Sequence, residues 1–103
     1  MTIRVGVNGY GAIGKRVADA VRLQDDMELV GVADLASDWR PRVTHAREIP
    51  LFHAGADGGA PSGVVGTLTE LMNEVDVIVD CTPKGIGARN ATAYREAGVK
   101  FVL

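Results

Sequence analysis

Three glycines, Gly9, Gly11 and Gly14, hold the spacing G-x-G-x-x-G, and each position in that pattern has its own physical use. The first allows a tight turn out of a strand, and the second lets backbone approach a pyrophosphate. The third removes a side chain where a helix must pack closely. Asn8, Tyr10, Ala12 and Ile13 complete the stretch as candidate ligand contacts. The free N–H groups of a helix start, at the positive end of its dipole, suit the ligand's negative charge. A second candidate is Asp34, 20 residues beyond Gly14, where a carboxylate can accept hydrogen bonds from both hydroxyls of an adenosine ribose and repel a 2′-phosphate. A third is Thr82-Pro83, followed by Lys84-Gly85-Ile86-Gly87. Packing alone is the competing reading for the glycines, and turn or helix capping is the competing reading for Asp34. The context favours a dinucleotide, because a strand precedes the glycines, a helix follows them, and the acid ends the next strand.

The elements that must position these residues follow from apolar periodicity. Ile3, Val5 and Val7 form the first strand. A helix is expected from about Ala12 to Gln24, with Ile13, Val17, Ala20 and Val21 as its buried stripe. Met27 to Ala33 reads as a second buried strand ending at Asp34. Ser37 or Asp38 can cap a helix reaching about Arg47, with Pro41 tolerated in its first turn. Trp39, Arg40 and Arg42 lie beyond the adenosine side. Ile49 to His53 suggests a short strand placed at an edge by Pro50, and the glycine-rich stretch 54–63 reads as a loop. Thr67-Leu68-Thr69-Glu70 has the capping-box form and opens a helix to about Asn73 or Glu74. Val75 to Cys81 is an apolar strand suited to the middle of a parallel sheet. A helix from about Ala88 to Ala97, ended by Gly98, leads to a last strand at 99–103. This alternation predicts an α/β fold, a doubly wound parallel sheet of Rossmann type in three αβα layers. Ligands bind such sheets where the strand order reverses, so the glycine turn and the Thr82 turn should face each other across one crevice.

Length and charge bound the rest. A chain of 103 residues with net charge −2 makes one domain at most, and its mixed charges give no surface for nucleic acid or membrane. The single cysteine, Cys81, excludes an internal disulfide and fits a reducing compartment. No apolar run nears the roughly 18 residues of a membrane span, and the N-terminus enters a strand without a signal-peptide pattern. The cytoplasm is the expected location. His45 and His53 have Glu48 and Asp57 nearby but no completed ligand set, so no metal site is expected. Cys81 reads as an inert thiol, since a nucleophile would need a local base. No catalytic residue is assigned.

The run Val7 to Val21 (VNGYGAIGKRVADAV) resembles the N-terminus of archaeal-type glyceraldehyde-3-phosphate dehydrogenase. Gln24 to Glu28, Gly66-Thr67, Val75 to Pro83, Gly85 to Ala88 with Asn90, and Tyr94 to Lys100 fit the same family. The resemblance implies NAD(P)-dependent, phosphorylating oxidation of a small phosphorylated aldehyde through a cysteine thiohemiacetal, in a homotetramer. It implies that Gly9, Gly11, Ala12, Ile13 and Gly14 meet the cofactor's phosphates, with Thr82 and Pro83 beside its ribose–nicotinamide end. Many members carry lysine where this chain has Asp34, which favours NAD here while leaving NADP open. The family's Ser-Cys-Asn-Thr nucleophile motif lies beyond Leu103, so residues 1–103 are expected to be the cofactor domain without the catalytic one. Rival expectations are the cofactor domain of a semialdehyde dehydrogenase or dihydrodipicolinate reductase, or a nucleotide-binding module without catalysis.

Overall fold

The computed structural model describes residues 2–34, 40–54, 64–83 and 86–102. Along the chain run β1 (Ile3–Asn8), α1 (Ala12–Arg22), β2 (Met27–Asp34), α2 (Arg40–Ala46), β3 (Leu51–His53), β4 (Gly66–Thr67), α3 (Leu68–Glu74), β5 (Val77–Asp80), α4 (Ile86–Glu96) and β6 (Phe101–Val102). The six strands form one sheet in the order β4-β3-β2-β1-β5-β6. Every pairing is parallel. The order reverses at β1, which pairs β2 on one side and β5 on the other. This is the Rossmann arrangement that the alternation of strands and helices predicts.

Strand periodicity divides the core between the two faces, since successive side chains point to opposite sides. Val7, Val32 and Leu51 stand in register across β1, β2 and β3 and pack with Tyr10, Ala18 and Ile49, against Val17 of α1 and Val43 of α2. Their neighbours Ala33 and Phe52 turn the other way, joining Ile78, Leu71, Met72 and Tyr94 under α3 and α4. Helices therefore cover both faces of the sheet.

The capping box forms as its sequence implies. Thr67 Oγ1 accepts the Glu70 N–H at 3.2 Å, and Glu70 Oε1 accepts the Thr67 N–H at 3.3 Å. Gly98 ends α4 with φ of +79°. Three expectations are corrected. The buried side of α1 is Gly14, Ala18 and Val21, whereas Ile13 is 69% exposed and Ala20 is also exposed. The helix is turned so that its small residues meet the sheet, because Gly14 must lie against the turn before it. β3 is internal, flanked by β2 and β4. Pro50 stands outside that strand and only its carbonyl is used, accepting the Val32 N–H at 3.0 Å. β5 is shorter than expected and stops at Asp80, so Cys81 opens the following turn. The cap at Ser37 or Asp38, Trp39, the loop at 55–63, Lys84, Gly85 and Leu103 lie outside the described residues.

Candidate dinucleotide-binding site

The carboxyl ends of β1, β2 and β5 meet at the reversal point, and the glycine turn is slung between them. The Gly9 N–H donates to Ala33 O and the Cys81 N–H donates to Asn8 O, each at 2.7 Å. Gly9 has φ of +100°, and a Cβ there would stand 2.7 Å from the Cys81 carbonyl and 2.9 Å from Thr82 N. Its missing side chain thus brings the glycine turn against the Thr82 turn, which makes the two expected walls of one crevice adjacent. Gly14 is a second close approach, because a Cβ there would lie 1.8 Å from Gly9 O. The third glycine differs in kind. A Cβ on Gly11 would meet no atom of the described residues within 4 Å.

Gly11 is also the N-cap of α1. It offers no side chain to the helix start, and the first turn holds no acidic residue. Lys15 and Arg16 lie just inside that turn, where positive charge opposes the dipole. The first helical hydrogen bond runs from Lys15 N–H to Gly11 O at 2.9 Å. An anion would supply what this helix end lacks, an acceptor for its first N–H groups and a charge of the right sign. The open side of Gly11 gives it room. These features fit the pyrophosphate of a dinucleotide.

Asp34 ends β2 and is half-buried. Its Oδ2 accepts the backbone N–H of Tyr10 at 2.6 Å, so the same carboxylate expected to face a ribose also fastens the middle of the glycine turn. The spacing of Asp34 from the glycines gives no hint of this bond, because it depends on the curl of the turn back over β2. Asn8 and Tyr10 are 1% and 0% exposed as whole residues, so the expectation that they contact the ligand is corrected. Their backbone is used within the turn, the Asn8 carbonyl by Cys81 and the Tyr10 N–H by Asp34. Tyr10 is a core residue beneath α1, and burial pushes its hydroxyl pKa up. Ala12 and Ile13 are exposed at the helix start, Thr82 is half-buried and Pro83 is exposed.

Beneath the Thr82 turn lies a polar cluster that sequence patterns did not reveal. Asp80 accepts the Thr82 N–H at 3.0 Å, the Thr82 hydroxyl, the Tyr94 hydroxyl at 2.5 Å and the Asn90 amide at 3.5 Å. Burial alone would raise the Asp80 pKa, but the hydrogen bonds from Thr82, Tyr94 and Asn90 outweigh it and hold the carboxyl below its ordinary range. Burial, assisted by the Asp80 charge, raises the Cys81 thiol, which agrees with an unreactive side chain. The available signal was an ionisable residue closing an apolar strand, Val77-Ile78-Val79-Asp80. Among the described residues no group of three or more His, Cys, Asp or Glu side chains is gathered as a metal site. No helix among them is long and apolar enough to cross a membrane.

The family model described as dihydrodipicolinate reductase, N-terminus, matches residues 3–103. The chain belongs to that family. Its curated relatives carry another name. It is 48% identical over 108 residues to glyceraldehyde-3-phosphate dehydrogenase of Thermococcus kodakarensis, covering 100% of this chain and 32% of that protein. It is 45% identical to the enzyme of the same name from Methanosarcina mazei, covering 96% and 31%. The chain thus spans about a third of the length of the curated relatives it matches. Among solved structures, scyllo-inositol dehydrogenase from Lactobacillus casei with bound NAD(H) superposes with a TM-score of 0.73 at 15% identity, covering 99% of this chain and 27% of that one. The likeness shows that this family member has a Rossmann-type fold.

Proposed function

We propose that this chain is the NAD-binding part of a phosphorylating glyceraldehyde-3-phosphate dehydrogenase, an enzyme that oxidises glyceraldehyde 3-phosphate to 1,3-bisphosphoglycerate. The observation that carries the reading is the 48% identity to such an enzyme along the whole chain. The geometry of the glycine turn supports it: an open Gly11 over an uncapped helix start. In this reading Gly9, Gly11, Ala12, Ile13 and Gly14 take the pyrophosphate, with the Asn8 and Tyr10 backbone shaping the turn. Asp34 takes the adenosine ribose and disfavours a 2′-phosphate, against the counterweight of Arg42. Thr82 and Pro83 take the nicotinamide end. NAD supplies the hydride acceptor, and this chain's own residues bind and orient. The nucleophile and the site for the phosphorylated aldehyde belong to the remaining two thirds of such an enzyme, a cytoplasmic homotetramer.

The family match over residues 3–103 favours a second reading, the cofactor domain of a dihydrodipicolinate-type reductase. A chimera separates the two. Joined to the remaining two thirds of the Thermococcus kodakarensis relative, this chain should give oxidation of glyceraldehyde 3-phosphate that depends on NAD and phosphate. A folded chimera that binds NAD without turnover, beside an active parent, overturns the first reading.

A further inference from the structure

The Asp80 cluster joins the two turns of the crevice from below. Asn8 immediately precedes Gly9 and donates from Nδ2 to the Tyr94 hydroxyl oxygen at 2.7 Å. Tyr94, on α4, passes its proton side to Asp80 at 2.5 Å. Asp80 then holds both the N–H and the hydroxyl of Thr82. The direction of this chain follows from its charged end. A carboxylate claims the one hydroxyl proton of Tyr94, and the phenolic oxygen must then be met by a donor. That fixes the Asn8 amide with Nδ2 toward the tyrosine and leaves Asn8 Oδ1 buried without a partner. An orphaned buried carbonyl is costly, so the donor chain is retained against a local penalty. Asn8 and Tyr94 are each 1% exposed. Neither is open to a ligand, and whatever they do for binding they do through Thr82.

We infer that Asn8, Tyr94 and Asp80 are positioning residues that fix the Thr82–Pro83 turn against the glycine turn, and that they set affinity for the nicotinamide half of the dinucleotide rather than its adenosine half. This deepens the proposed function and rests on its assignment of Thr82 and Pro83 to the nicotinamide end. Removal of one member leaves the turn free to shift away from the glycine wall. The adenosine and pyrophosphate contacts, on the far side of β1, keep their supports in Gly11, α1 and Asp34.

Two ligands read the difference, because ADP carries the adenosine half and the pyrophosphate while NAD carries both halves. In calorimetry on the purified chain, Tyr94→Phe and Asp80→Asn should weaken NAD about tenfold, the scale of one lost hydrogen bond to a charged group. ADP should stay within about twofold of wild type. Thr82→Val should behave like Tyr94→Phe, and Thr82→Ser, which keeps the hydroxyl, should restore NAD affinity. Tyr94→Phe keeps the ring in its slot. If Asp80→Asn does not fold, judged by its urea midpoint, the Val and Ser pair at half-buried Thr82 gives the same readout. Equal losses for NAD and ADP would make the cluster a support of the fold alone and overturn the inference, as would an unchanged NAD affinity. A wild-type chain that binds ADP but gains nothing from the nicotinamide half overturns the assignment of the Thr82 turn. A wild-type chain that binds neither ligand overturns the dinucleotide reading itself.

Discussion

Replacing Asp34 by lysine should do two separable things. In wild type the carboxylate would face a 2′-phosphate as a like charge, which at about 4 Å costs roughly 1 kcal/mol in bulk water and about 4 kcal/mol at an effective dielectric near 20. Relief of that repulsion should shift the ratio of NADP to NAD affinity toward NADP by at least several-fold. The same carboxylate also accepts the Tyr10 N–H at 2.6 Å. A hydrogen bond to a charged group contributes about 1.5–3 kcal/mol, and lysine offers no acceptor to replace it. Loss of that anchor loosens the glycine turn for both cofactors alike, so NAD affinity should fall about 10- to 150-fold. NADP should gain far less than the relieved repulsion alone would give. Asp34→Asn keeps an acceptor for Tyr10 without the charge, so it should retain more NAD affinity than Asp34→Lys while still narrowing the preference. Calorimetric dissociation constants for both cofactors, on wild type and both variants at one ionic strength, test this. A lysine variant that changes preference with no loss of NAD affinity would refute the anchoring role. Wild type binding NADP as tightly as NAD would refute the placement of the carboxylate at the ribose.

The other predictions follow from distances within the turn and from the pKa directions. Gly11→Val should leave the urea midpoint nearly unchanged, since a Cβ there meets no atom of the described residues within 4 Å, yet abolish NAD binding measured by calorimetry. Gly14→Ala should do the reverse in kind and lower the midpoint, because its Cβ would overlap Gly9 O at 1.8 Å; overpacking of this sort costs about 1–3 kcal/mol. The Asp80 pKa is depressed in the fold, so its stabilising share is present above the unfolded carboxyl pKa of about 3.9 and is lost as pH falls through the folded value. Acid titration of wild type and Asp80→Asn should therefore show a steeper loss of stability below about pH 4 in wild type. The raised thiol pKa of Cys81 predicts slow reaction with a thiol reagent at neutral pH, sped up by unfolding in urea.

Sequence alone determined the fold class and the glycine turn, for a local reason. Strand, turn and helix within Ile3 to Arg22 are written in adjacent residues: alternating apolar positions, three spaced glycines and a helical repeat. The capping box at Thr67 and the stop at Gly98 are likewise contained in four residues or one, and both formed as read. Asp34 was legible as an acid at the right distance. Its hold on Tyr10 was not, because backbone N–H groups are the same in every residue and only the folded curl of the turn selects one. The orientation of α1 was lost for a related reason. Periodicity permits either Ile13 or Ala18 to face inward, and the contact of Gly14 with Gly9 O decides between them. Least legible was the Asp80 cluster, which draws together Asn8 of β1, Thr82 of the turn after β5, and Asn90 and Tyr94 of α4. Sequence separations as large as 86 residues within it carry no local pattern. Tertiary packing brought those polar groups into one buried place, where each had to find a partner or pay the cost of having none, as Asn8 Oδ1 does.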